Sequence, residues 1–92
     1  MYFMVTEVLH GHFSHVINVR NESVIKAFGE RVRQLRKEKG YTMESLAELA
    51  GIDARQLSNI ERGKVNTTIS SIHVLSKALN ISMSELIKIE TL

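Results

Sequence analysis

From Glu22 onward, apolar residues recur at three- and four-residue steps in short runs, and each run opens or closes on a residue suited to cap a helix. Ile25, Phe28, Val32 and Leu35 form the first run, and Gly40 stands where a C-terminal cap is expected. Thr42 offers a hydroxyl to open the second, which carries Leu46, Ala47, Leu49 and Ala50 and ends at Gly51, a residue free to take a left-handed turn. Asp53 and Gln56 have capping-box spacing ahead of Leu57 and Ile60, and Gly63 closes that run. Thr68 opens a fourth helix with Ile69, Ile72, Leu75 and Leu79, and Ser82 with Glu85 a fifth with Met83, Leu86 and Ile87. No proline interrupts any of them. The pattern predicts an all-α core of five short helices over residues 22–92.

Residues 1–21 have another texture. β-branched and aromatic residues dominate Tyr2 to Leu9 and His15 to Val19, with Gly11 between, which reads as two weak strands in an N-terminal extension. An isolated hairpin is marginal in water, so three outcomes stand open: pairing, packing on the main domain, or mobility.

At 92 residues, the chain is one small domain with an extension, and its 43% hydrophobic and 24% charged residues match ordinary globular usage. The absence of cysteine excludes a disulfide framework and thiolate chemistry. No run is long and apolar enough to span a membrane, and the N-terminus lacks the basic start of a secretory signal, so the cytoplasm is the expected location. The net charge of +2 permits contact with phosphates without demanding it. Its placement is more telling: Lys26, Arg31, Arg33, Arg36, Lys37 and Lys39 crowd into one helix and its end.

The two short helices joined through Gly51-Ile52 suggest a helix-turn-helix. At about 100° per residue, Arg55, Ser58, Asn59 and Arg62 share one face of the third helix, opposite Leu57 and Ile60. Arginine can donate two hydrogen bonds to guanine, asparagine can bond bidentately to adenine, and a helix of this width fits the major groove. A solvated polar surface is the competing reading of such a face.

The stretch Arg31 to Ile52, the run Gln56-Leu-Ser-Asn-Ile-Glu-Arg-Gly-Lys64 and the close Ala78-Leu-Asn-Ile-Ser82 resemble the phage-repressor and Cro-type helix-turn-helix family, often called XRE, over about residues 24–88. The resemblance implies a compact five-helix repressor-like domain that binds double-stranded DNA at a palindromic operator as a homodimer and regulates transcription. It places Ala54, Arg55, Ser58 and Asn59 at the base-reading face. Thr42 and Met43 at the start of the second helix, with Lys64, Asn66, Thr67 and Thr68 before the fourth, correspond to backbone contacts, and Arg62 is either a phosphate contact or a cation at a helix end. Arg36 and Glu61 occupy the positions of a structural ion pair. Met43 replaces a glutamine that clamps a phosphate in many relatives, leaving the amides of that helix to do so. Thr67 replaces a frequent proline, a variation shared with small restriction-modification controllers, so a controller or antitoxin-type autoregulator is within range.

Other chemistries find little support. His10, His12 and His15 lie too irregularly to specify a metal, and His73 is on a distant segment. No nucleophile elbow, glycine-rich phosphate loop or carboxylate dyad points to an enzyme, and no cofactor or small-molecule ligand is indicated. The rival from another class is a protein-interaction module on the same scaffold, which the acidic Glu44, Glu48 and Asp53 keep in view. For the dimer contact, Ile87, Ile89 and Leu92 at the C-terminal edge compete with the β-rich extension.

Overall fold

A computed structural model describes residues 19–90 of the chain. The strand-like segments read in the extension, apart from Val19, which is exposed and in no strand, the histidines at 10, 12 and 15, and Leu92 lie outside these residues. Five helices follow in order: α1 (Glu22–Glu38), α2 (Met43–Ala50), α3 (Ala54–Glu61), α4 (Ile69–Leu79) and α5 (Met83–Leu86). The described residues are all-α, as the periodicity predicts.

Each helix starts where a side-chain oxygen can accept from an otherwise unpaired amide. Asn21, Thr42, Thr68 and Ser82 accept from the amide three residues on, at 3.0–3.2 Å. At α2 the box is reciprocal, because Ser45 Oγ accepts from the Thr42 amide at 2.9 Å. Two expected boxes take another form. Asp53 accepts from the Arg55 amide at 3.0 Å with no return bond from Gln56, and Glu85 gives its carboxylate to Arg31 of α1 instead of returning to the start of α5.

The first four helices end alike. Tyr41, Ile52, Lys64 and Ile81 donate their amides back to the carbonyls of Arg36, Ala47, Asn59 and Ser76 at 2.9–3.1 Å, the Schellman arrangement that satisfies carbonyls at a helix end. The residue before each donor has positive φ: glycine at the first three ends, and Asn80 at φ 59 in the last.

The core is Val32 of α1, Leu46 of α2, Leu57 and Ile60 of α3, Leu75 and Leu79 of α4 and Leu86 of α5, all of them fully buried. Three residues counted among the apolar runs are instead exposed: Leu49 at 57%, Ile69 at 72% and Ile87 at 48%. On α2 the buried stripe runs from Leu46 through Ala50 to Ala47, and Leu49 falls about 60° outside that arc by helix geometry. Ile69 is the first residue of α4 and Ile87 lies just past α5, so both sit at helix ends, beyond the reach of the core.

Candidate nucleic-acid interface

Gly51, at φ 73, lets the chain reverse between α2 and α3 without the strain a Cβ would bring. α3 then buries Leu57 and Ile60 completely, and this fixes which of its residues look outward. Arg55 is exposed, and Ser58 and Asn59 are half-buried. Among the described residues, the side chains of Arg55, Ser58, Asn59 and Arg62 form no ion pair and no hydrogen bond; Arg55 contributes only its backbone amide, to the Asp53 cap. Ala54, expected beside them, is half-buried and rests against the core, so it offers the face little more than a methyl edge.

Of the residues expected to meet a phosphate backbone, Thr42, Arg62, Lys64, Asn66 and Thr68 are exposed and Thr67 is half-buried. The Met43 side chain packs against the core, which leaves its amide, at the first position of α2 and without an intrahelical partner, as the group able to receive an anion. The Thr42 and Thr68 hydroxyls are already acceptors within their caps. Arg20 donates to the Lys64 carbonyl at 3.2 Å, so the chain ahead of α1 enters beside the turn that follows α3.

Arg36 and Glu61 meet as a bidentate pair, Nε to Oε2 at 2.8 Å and Nη2 to Oε1 at 3.1 Å. A third bond runs from Arg36 Nη1 to the Tyr41 carbonyl at 3.0 Å. The two side chains are only 11% and 2% exposed. The hydrogen bonds to Glu61 hold the Arg36 guanidinium above its usual pKa, outweighing the opposing effect of burial. One side chain of α1 thus ties down both the approach to α2 and the far end of α3.

Two features of this frame escape a reading of sequence. A Cβ on Gly29, midway along α1, would lie 2.3 Å from the Ile60 carbonyl oxygen and 2.7 Å from that of Glu61, so α1 and α3 touch backbone to backbone there. The only signal was a lone glycine inside a helical run. Arg31 reaches across to the Glu85 carbonyl at 2.8 Å and its carboxylate at 3.3 Å, pinning α5 to α1, a pairing that nothing in the spacing of the two residues announces.

Among the described residues no helix is long and apolar enough to cross a membrane, and no group of three or more acidic or histidine side chains is gathered to hold a metal ion.

The helix-turn-helix family model matches residues 32–86. The HTH-type transcriptional regulator SinR of Bacillus subtilis is 42% identical over 60 residues, covering 64% of this chain and 54% of that protein. The chain thus spans about half the length of this curated relative. Among solved structures, the restriction-modification controller C.AhdI of Aeromonas hydrophila superposes with a TM-score of 0.67 at 39% identity, over 72% of this chain and 98% of that one. SinR in complex with DNA superposes with a TM-score of 0.63 at 40% identity, over 66% of this chain and 98% of that one. Five helices, the Gly51 turn and these likenesses agree: the chain belongs to the helix-turn-helix family, in its phage-repressor and Cro-type (XRE) branch.

Proposed function

We propose that the chain is a sequence-specific regulator of transcription that binds double-stranded DNA at a palindromic operator as a homodimer, acts in the cytoplasm, and carries no catalytic activity. The observation that carries this reading is the outward face of α3, where Arg55, Ser58, Asn59 and Arg62 are held on a helix anchored by Leu57 and Ile60 and their side chains form no ion pair or hydrogen bond among the described residues. The likeness to SinR, solved in complex with DNA, supports it. In this reading α3 lies in the major groove, Arg55 and Asn59 read base edges, and the α2 amides with Arg62, Lys64, Asn66, Thr67 and Thr68 set the register on the phosphates.

Selection of bound sequences from a random duplex library tests the reading as a whole. The expected result is an inverted repeat whose half-sites lie about 34 Å apart, one helical turn. Enrichment of a single half-site would remove the homodimer, and no enrichment would remove sequence-specific binding.

Arg55→Ala is expected to weaken binding to the selected duplex by about 1–3 kcal/mol and to relax preference at the base pair it reads. An equal loss on scrambled DNA would make Arg55 a phosphate contact instead. Binding through phosphates also weakens steeply as salt rises, whereas a protein-interaction surface built on apolar contacts does not.

A further inference from the structure

Beside the base-reading face runs a groove of about 600 Å³ between Lys26, Glu30 and Arg33 of α1 and Ser58 and Arg62 at α3 and its end. It exists because α1 is drawn against the end of α3. Gly29 permits the backbone contact with Ile60 and Glu61, and Gly63 lies so close to Lys26 that a Cβ there would stand 2.8 Å from its Cγ and 3.0 Å from its Cα. The Arg36–Glu61 pair forms a neutral floor. Above it stand three exposed cations, Lys26 and Arg33 of α1 and Arg62 at the end of α3, none of them in an ion pair among the described residues, against the single carboxylate of Glu30. One wall, Ser58 and Arg62, is part of the outward face of α3, and Met43 at the rim marks the start of α2.

We propose that this groove is an additional track for the DNA phosphate backbone, in which Lys26 and Arg33 of α1 neutralise phosphates beyond those met by α2 and the turn before α4. The inference rests on the proposed function, since it takes the occupant from the face the groove adjoins. It gives α1, a helix whose other contacts are structural, a direct share in the electrostatics of binding. Glu30 works against it and limits how tightly any sequence is held.

The test is the salt dependence of binding to a duplex selected from a random library, and to its scrambled counterpart, for the wild type, Arg33→Gln, Lys26→Gln and Glu30→Gln. All three side chains are exposed, and matching thermal melts establish that the variants fold. Each cation removed is expected to reduce the slope of log K against log salt by about 0.9 and to weaken binding equally on both duplexes. Glu30→Gln is expected to tighten binding at low salt. Slopes unchanged in both cation variants, with wild-type binding intact, would overturn the track while leaving the regulator reading in place. Absence of any duplex binding by the wild type would overturn both. Exchanging chloride for inorganic phosphate at equal ionic strength is expected to leave the wild-type curve unmoved; a loss of DNA binding that Arg33→Gln abolishes would assign the groove to a free anion and overturn the track.

Discussion

Glu61→Ala is expected to lower the unfolding free energy in urea by about 3 kcal/mol, with the denaturant slope unchanged. The size of the effect follows from what is left behind. Arg36, 11% exposed at the floor of the groove, keeps its bond to the Tyr41 carbonyl but loses both bonds to Glu61. Breaking one side of a buried pair is costly for this reason, even where the intact pair adds little over an apolar replacement. Glu61→Gln, which retains an oxygen to accept one of the two bonds, is expected to fall between. A loss below about 0.5 kcal/mol for the alanine variant would mean that water screens the pair as it does a surface one. Under the proposed function the variant is also expected to bind DNA more weakly, because Glu61 ends the helix that bears Arg55 and Asn59.

Gly29→Ala is expected to destabilise by about 2 kcal/mol, the reverse of what helix propensity alone predicts. In an open helix interior the exchange would gain up to about 1 kcal/mol. Here the new methyl meets two backbone carbonyls, at 2.3 and 2.7 Å, and neither can rotate aside as a side chain could. α1 must move away from α3, and forced overpacking of this kind costs about 1–3 kcal/mol or more. The Ile60 carbonyl also accepts from the Gly63 amide at 3.1 Å, so the displacement strains the turn that closes α3. Thermal and urea unfolding read this directly. A variant more stable than the wild type would show that the two helices stand further apart than described.

Much of the fold was legible because helix ends are local. Thr42, Thr68 and Ser82 reveal their role through a hydroxyl placed three residues before the amide it caps, and the outward set on α3 follows from the positions of Leu57 and Ile60 alone. Where a side chain had a choice between a local and a distant partner, the sequence could not decide. Glu85 turned to Arg31 on another helix, and Gln56 left Asp53 to cap α3 unaided. Leu49, Ile69 and Ile87 have the apolar character of the core, but the directions from which neighbouring helices cover α2, α4 and α5 leave them in water. The basic run on α1 was visible as charge. Only the approach of α1 to α3 at Gly29 and Gly63 separates its members, burying Arg36 as a brace and leaving Lys26 and Arg33 on the wall of a groove.

The backward bonds from Tyr41, Ile52, Lys64 and Ile81 have a kinetic meaning as well. Each reversal of the chain is closed by partners only five residues apart, so little entropy is lost in bringing distant segments together before α1 settles on α3. Helical topologies dominated by such short-range closures reach the native state in microseconds to milliseconds. The described five-helix unit is therefore expected to fold early, with little time for its apolar stripes to pair in the wrong order.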